Sequence, residues 1–317
     1  MPLQKKLVIV TPALAAANNG NWQTAQRWAR MLRSHYRVRL AGDWQQGDED
    51  LMIALHARRS AASVAAWRRQ GSRPLVLVLT GTDLYRDIDG DSAAQQSLQH
   101  ADRLVVLNEL GIARLPLALQ SKASVCLQSC PLRQPQQKTQ RHLRALMVGH
   151  LREEKSPQTY FDAARLLASR SDILLDHIGD GLDATLAEEA RALMHQNPHY
   201  RWLGGMRHGA TRARIAAAHV LVHASRMEGG AHVVMEAVTS GTPVLASRID
   251  GNLGLLGADH PGVFDWGDAA ALAALLERAR DDASMLPLLR AHGDARADLF
   301  QPGRERQTLL TLLSGLA

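Results

Sequence analysis

SRMEGGAHVVMEAVTSGTPVLAS, residues 225–247, carries the most specific pattern in the chain. Glu228 and Glu236 are separated by seven residues, and a Gly-Gly pair directly follows the first of them. The glycines come after a predicted strand, AHVVMEAVTSG has helical spacing, and Gly241 followed by Pro243 ends that helix. The order strand, Glu, Gly-Gly, helix, Glu, Gly-x-Pro predicts a helix whose N-terminus lies beside Glu228.

A helix N-terminus preceded by glycine presents unpaired backbone N–H groups and a partial positive charge, which together suit a diphosphate. Glu236 comes about two helical turns later, where a carboxylate can accept hydrogen bonds from the vicinal hydroxyls of a ribose. For a single glutamate, a surface position on a core helix is the simpler interpretation. The complete order of residues favours a nucleotide site.

The composition is that of a soluble globular protein long enough for two domains, with 317 residues, 46% hydrophobic and 21% charged. The net charge of +6 is dispersed, without a run of five like charges, zinc-finger spacing or an aromatic RNA-binding pattern. Local sites for phosphate-bearing metabolites are therefore favoured over nucleic acid. Cys126 and Cys130 stand four apart with no second cluster, which argues against zinc and for buried or idle thiols.

Short apolar runs alternate with helical segments along both halves of the chain, which predicts parallel α/β sheets. A glutamine-rich stretch with two prolines interrupts the alternation near residue 135. We expect a Rossmann-like domain over 1–135, a second over 143–300, and a C-terminal helix over 301–317 that packs back on the body. Pro12 interrupts the first apolar run, which favours a first strand over a signal peptide, and a cytoplasmic location is expected.

The 225–247 pattern resembles the signature of retaining GT-B glycosyltransferases of the family 4 type. MVGHLREEKSPQTYFDAARLL, from Met147, resembles the segment that opens the C-terminal domain of that family. The resemblance implies two Rossmann-like domains facing a central cleft and a nucleotide-sugar donor. It gives Glu228 contact with the transferred sugar, Glu236 the ribose, and Lys155 the diphosphate.

His150 stands where the family usually has an arginine, so Arg152 is a candidate for the second cation. In enzymes of this type such cations replace a metal in stabilising the departing diphosphate, and no metal is expected. Backbone and side-chain groups of the glycine-containing loops complete the predicted donor site: Gly229, Gly230, Ala231, His232, Gly204 and Gly205.

Three loops in the first half follow predicted strands and offer amides, hydroxyls and cations to an acceptor. Helix capping, solvated arginines and a simple turn are the alternatives for these loops. The predicted acceptor-binding residues are Asn18, Gly20, Asn21, Trp22, His56, Arg58, Arg59, Thr82 and Asp83.

The phrases NNGNWQTAQRWARML, LTGTDLYRDI, VGHLREEK and SRMEGGAHVVMEA resemble one subgroup, the selenosugar synthases of selenoneine biosynthesis, along almost the whole chain. That resemblance implies transfer from UDP-N-acetylglucosamine or UDP-glucose to selenophosphate, forming a C–Se bond. Selenophosphate is already ionised, so its attack needs no strong general base. The alternatives are a glycosyltransferase with a lipid or saccharide acceptor, a UDP-sugar epimerase on the same fold, and a non-catalytic binder; no stable membrane association is expected.

Overall fold

The structure, a computed structural model, describes residues 4–14 and 20–316 of the chain. Contacts divide the described residues into two compact units. The first consists of the chain up to Ser129, the short segment Glu228–Gly230 and the C-terminal segment from Pro302. The second consists of Cys130–Met227 and Ala231–Gln301.

The first unit contains one six-stranded sheet. Its strands are β1 (Lys6–Val10), β2 (Arg37–Ala41), β3 (Leu51–Leu55), β4 (Leu75–Leu79), β5 (Arg103–Val106) and β6 (Ala123–Val125). Its helices up to this point are α1 (Gly20–Leu32), α2 (Ala61–Arg69), α3 (Ile88–Gly90), α4 (Ser92–His100) and α5 (Leu117–Gln120). The strands pair in parallel in the order β2-β1-β3-β4-β5-β6.

The aliphatic strands of this sheet are covered on both faces. Leu7 and Ile9 of β1 belong to one buried cluster, and Val8 and Val10 belong to another. Successive side chains of a strand point to opposite faces, so a strand buried on both faces is a continuous apolar run.

The second unit contains another six-stranded sheet. Its strands are β7 (Leu143–Val148), β8 (Ile173–Ile178), β9 (Tyr200–Trp202), β10 (Val220–His223), β11 (Val244–Ser247) and β12 (Val263–Phe264). Its helices are α6 (Pro157–Leu166), α7 (Ala184–Gln196), α8 (His208–Ala217), α9 (His232–Val238), α10 (Asp250–Leu256), α11 (Ala269–Asp281) and α12 (Met285–Arg296). The strands pair in parallel in the order β12-β11-β10-β7-β8-β9.

The two parallel sheets with their helices confirm the predicted α/β fold class. The last helix, α13 (Pro302–Ser314), belongs by its contacts to the first unit, where Leu309 and Leu313 join the cluster that contains Leu7 and Ile9. No helix among the described residues combines the length and the apolar character needed to cross a bilayer.

In each sheet the chain order reverses at one strand. In the first unit β1 lies between β2 and β3, and in the second β7 lies between β8 and β10. Loops on either side of such a reversal lead away from each other at the carboxyl ends of the strands, leaving a crevice where open α/β sheets bind ligands. The loops after β1 and β3, and after β7 and β10, are therefore the places to search for a site.

Candidate functional site

The loop after β7 begins at Gly149, whose backbone is fixed by the neighbouring strand β8. Gly149 N donates to Ile178 O at 2.8 Å, and His177 Nε2 lies 3.1 Å from Gly149 O. Burial lowers the pKa of His177 to about 4, so the imidazole is neutral at physiological pH. Its Nε2–H then donates to the Gly149 carbonyl.

The loops after β7, β8 and β9 approach one another so closely that Gly179 leaves no room for a side chain. A Cβ on Gly179 would lie 1.9 Å from Gly149 O. Trp202 Nε1 donates to Gly179 O at 2.8 Å, and Gly179 N donates to Gly204 O at 2.9 Å. Glycine is thus required at position 179, because the loops after β7, β8 and β9 contact one another there.

Gly204 and Gly205, which are predicted to belong to the donor site, follow β9 in this same group of loops. Gly204 has φ +69°, a conformation that glycine adopts without strain. A Cβ on Gly205 would lie 1.8 Å from Asp180 Oδ1, so the Asp180 side chain covers this glycine.

Lys155 ends a one-turn 3₁₀ helix, Glu153–Lys155, between Gly149 and α6. Its aliphatic stem passes over Gly149, where a Cβ would lie 3.3 Å from Lys155 Cγ. His150 and Arg152 differ from it in environment. His150 Nδ1 accepts from Asp180 N at 3.0 Å and burial lowers the pKa of this imidazole, whereas Arg152 is exposed. The His150 ring thus accepts a backbone hydrogen bond, and Arg152 remains the candidate for the second cation.

Glu236 lies on α9 and is only 2% exposed. Its Oε1 accepts from His208 Nε2 at 2.5 Å, lies 3.4 Å from His232 Nδ1, and lies 3.8 Å from Arg212 Nε. Burial alone would raise the pKa of Glu236, but the hydrogen bonds from His208 and His232 outweigh it and lower that pKa to about 2. The carboxylate is therefore charged at neutral pH and held by nitrogen donors.

Glu228, Gly229 and Gly230 lie, by their contacts, with the first unit. Asn108 Nδ2 donates to Gly229 O at 2.8 Å. A Cβ on Gly229 would lie 2.4 Å from Thr80 O, and one on Gly230 would lie 2.9 Å from Leu107 Cβ. The Gly-Gly pair is thus required for close backbone packing, in addition to any approach by a ligand. Ala231 precedes α9, which is seven residues long.

In the first unit, His56 and Thr82 meet after β3 and β4. His56 is buried with φ +74°, in the left-handed region, and its Nε2 lies 3.1 Å from Thr82 Oγ1. Its Nδ1 accepts from Arg59 N at 3.3 Å, so the neutral ring donates its Nε2–H to Thr82. Burial lowers the pKa of His56, and the carboxylate of Asp83 offsets only part of that shift. A non-glycine residue held in this conformation is typical of functional loops.

Asp83 has a structural environment. It is fully buried, its Oδ1 accepts from Thr80 N and Gly81 N at 2.9 Å, and its Oδ2 accepts from Ala57 N at 2.9 Å. The carboxylate therefore joins the loops after β3 and β4. If Asp83 contacts an acceptor, its carboxylate oxygens must bind the acceptor while they also accept these backbone hydrogen bonds.

The other predicted acceptor residues that the structure describes are more exposed to solvent than His56 and Asp83. Arg58 and Arg59 are exposed; Arg58 Nε pairs with Asp91 Oδ2 at 2.9 Å. Gly20, Asn21 and Trp22 form the first turn of α1, where Gly20 is exposed and the other two are half-buried. Asn18 lies outside the described residues.

Three polar residues at these sites were missed by the sequence analysis: His208, Asn108 and Asp87. Their partners Glu236, Gly229 and His56 are distant in sequence, and no spacing signals such a pair. Asp87 is 5% exposed, and its Oδ2 lies 3.9 Å from His56 Nε2. This oxygen forms no hydrogen bond to the described residues.

The chain is similar in fold to several solved glycosyltransferases. It matches a sucrose-phosphate synthase from Thermosynechococcus elongatus with a TM-score of 0.80 and 18% identity, over 99% of both chains. It matches Anabaena HepE, solved with UDP and glucose, with a TM-score of 0.78 and 15% identity, over 98% of this chain and 100% of that one. TarM of S. aureus matches with a TM-score of 0.65 and 13% identity, over 84% of this chain and 55% of that one.

No curated protein sequence matches the chain significantly. A family model, Glycosyl transferases group 1, matches residues 131–293. This segment is slightly more than half of the 317 residues and contains both the Lys155 turn and Glu236. The chain therefore belongs to the group 1 glycosyl transferase family.

Proposed function

We propose that the chain transfers a sugar from a UDP-sugar donor and that the second unit binds this donor. One observation carries the proposal: the Gly149–Lys155 turn follows β7, the strand at which the sheet order reverses, and Glu236 lies on the helix after the adjacent β10. Both lie inside the family match. HepE, a protein of similar fold, was solved with UDP and with UDP-glucose, which supports a UDP-linked donor.

The proposed roles follow the charge of the donor. Lys155 and Arg152 hold the diphosphate and offset the charge that it gains on leaving, so that no metal is needed. Glu236 accepts from the ribose hydroxyls, sharing its carboxylate with His208. Glu228 contacts the transferred sugar. The other donor-binding groups are Gly229, Gly230, Ala231, His232, Gly204 and Gly205.

We further propose that the acceptor is selenophosphate and that the first unit binds it, with residues 1–135 as the acceptor domain, 143–300 as the donor domain and 301–317 as a supporting helix. Arg58, Arg59 and the Thr82 hydroxyl lie near His56, and the Arg59 guanidinium has no ion-pair partner among the described residues. The selenium of selenophosphate attacks the anomeric carbon while the bond from that carbon to the UDP oxygen breaks. This step gives free UDP and a C–Se bond in a sugar whose selenium still carries the phosphoryl group, and hydrolysis of the Se–P bond then releases phosphate.

A saccharide acceptor is the second candidate, because one feature of the same loops favours it. Asp83 and Asp87 place two carboxylates beside His56, and Asp87 Oδ2 is buried without a hydrogen bond to the described residues. A hydroxyl group would donate to such an oxygen, whereas an anion would be repelled by it.

The experiment is UDP release from UDP-N-acetylglucosamine and from UDP-glucose, with selenophosphate, thiophosphate, phosphate or no acceptor, and mass spectrometry of the sugar product. Release that depends on selenophosphate, with a selenium-containing sugar, is the expected result. Release of UDP only with added saccharides would show that the acceptor is a saccharide and not selenophosphate. Equal conversion of the donor without any acceptor would indicate epimerase or hydrolase chemistry, and failure to bind UDP would overturn the donor assignment.

A further inference from the structure

Ser156, directly after Lys155, has an unusual backbone conformation. Its φ and ψ are 47° and 52°, in the left-handed region, although it is neither glycine nor asparagine and precedes Pro157. The residue before a proline normally avoids helical conformations and is extended. Contacts of Ser156 must therefore stabilise this conformation, and one of them is the local hydrogen bond from Ser156 N to Glu153 O at 2.9 Å.

A second contact, from a distant part of the chain, is the indole of Trp266 on the loop after β12. Trp266 Nε1 donates to Ser156 Oγ at 2.7 Å. A serine at this position ordinarily accepts from a backbone N–H of the following helix, but Ser156 forms no such capping bond with α6. Its oxygen is instead occupied by an indole N–H, which can only donate.

Arg226, on the loop after β10, lies over the same indole and reaches the same turn. Its Cζ is 5.0 Å from the Trp266 ring centre, and its Nη1 pairs with Glu153 Oε1 at 3.2 Å. Its backbone N donates to Glu154 O at 2.9 Å. The loops after β10 and β12 thus contact the turn after β7, at Glu153, Glu154 and Ser156.

Trp266 is 48% exposed, an unusual position for a tryptophan unless its ring or its N–H has a partner. Because the Lys155 stem packs on Gly149, the turn that carries this lysine determines where the ammonium lies. A cation that is to meet a diphosphate gains most when it is held in position before the ligand arrives.

We propose that Trp266 is a positioning residue for the diphosphate: its hydrogen bond to Ser156 fixes the turn that aims Lys155. This inference rests on the proposed donor site. Trp266 itself need not touch the donor. The effect of losing its N–H should therefore appear only for ligands that carry phosphate.

The test compares UDP with uridine, which lacks the phosphates, in binding measurements on Trp266→Phe, Ser156→Ala and the double variant, with Lys155→Ala as the reference. Trp266→Phe keeps an aromatic ring for Arg226 and removes the N–H. Loss of one neutral hydrogen bond corresponds to about a fivefold loss of affinity. We expect a loss of that size for UDP in each single variant, no change for uridine, and no further loss in the double variant.

Trp67→Phe is the matched control, because the Trp67 indole donates to Arg73 O in the first unit. It should lower thermal stability without changing UDP affinity. Unchanged UDP binding in Trp266→Phe, equal losses for UDP and uridine, or multiplying losses in the double variant would overturn the inference. If Lys155→Ala weakens UDP binding and Trp266→Phe does not, only the inference fails; if the wild type does not bind UDP, the donor assignment fails with it.

Discussion

Glu236 Oε1 and His208 Nε2 lie 2.5 Å apart, which joins a buried carboxylate to an exposed imidazole across the first turn of α8. His232, four residues before Glu236 on α9, approaches the same oxygen. The donors lower the pKa of Glu236 to about 2 despite its burial. A carboxylate kept charged in this way is a strong acceptor for hydroxyl groups.

Replacing Glu236 with Gln should weaken UDP binding about tenfold or more, because hydrogen bonds to a charged acceptor are lost. Calorimetry with UDP measures the change, and 2′,3′-dideoxy-UDP is the control ligand. The variant and the wild type should bind the dideoxy compound equally. Equal weakening for both ligands would argue against the ribose.

Replacing Glu228 with Gln should lower turnover by roughly 100-fold or more while leaving most of the UDP affinity, because its proposed contact is with the transferred sugar and acts in the transition state. Initial rates of UDP release and calorimetry on the same sample separate the two effects. A variant with the wild-type rate would remove Glu228 from the mechanism.

The stability of the second unit should fall as the pH drops below 6.5. Burial lowers the pKa of His177 from 6.5 to about 4, so between these values the unfolded chain binds more protons than the folded one and protonation favours unfolding. Between pH 7.5 and pH 5 the His177 contribution should lower the free energy of unfolding by about 2 kcal/mol. Denaturant unfolding at both pH values measures it.

In the variant His177→Gln, the free energy of unfolding should change less between the two pH values than in the wild type, because the buried imidazole is absent. His195→Gln, at the exposed end of α7, is the control and should keep the wild-type change. An unchanged slope in His177→Gln would assign the effect to other groups.

Gly179→Ala should destabilise the second unit by about 2 kcal/mol or more, because the added methyl group meets the Gly149 carbonyl. It should also weaken UDP binding, since Gly149 supports Lys155. Gly209→Ala is the matched control: a Cβ there has no neighbour within 4 Å, and alanine favours the helix α8. Thermal unfolding should give a lower midpoint for the first variant and an equal or higher one for the second.

Glu305→Gln should destabilise the first unit by about 3 kcal/mol. The buried Glu305 carboxylate accepts from Arg27 Nε at 3.0 Å, Trp28 Nε1 at 2.7 Å and Ser129 N at 2.9 Å, and an amide would put N–H groups against these donors. Urea unfolding measures the loss. Glu277→Gln, on the surface of α11, should change stability by less than about 0.5 kcal/mol, and similar values for the two variants would contradict the role of Glu305.

Local patterns were sufficient to predict the fold class. The aliphatic runs around Leu7 and Leu51 are strands buried on both faces, and such runs are readable without knowledge of their partners. Family membership was also predictable, because the Glu228–Glu236 spacing and the turn that ends at Lys155 are each contiguous in sequence. The roles given to individual site residues remain predictions.

Contacts between distant residues were not predictable. The Ser156 hydroxyl accepts from Trp266, 110 residues away, and no local pattern signals this pair. Asp83 was predicted to bind the acceptor, and it is buried among backbone amides of two loops.

The sequence by itself determined the two parallel sheets, the family and the two glutamates, because hydrophobic periodicity and short motifs act over a few neighbouring residues. Only the tertiary structure decided which groups surround them. Three contacts depend on which loops meet at the ends of the strands: that of His208 with Glu236, that of His177 with Gly149 and that of Trp266 with Ser156. That meeting is fixed by the order of strands in the sheet, a long-range property that no local pattern encodes.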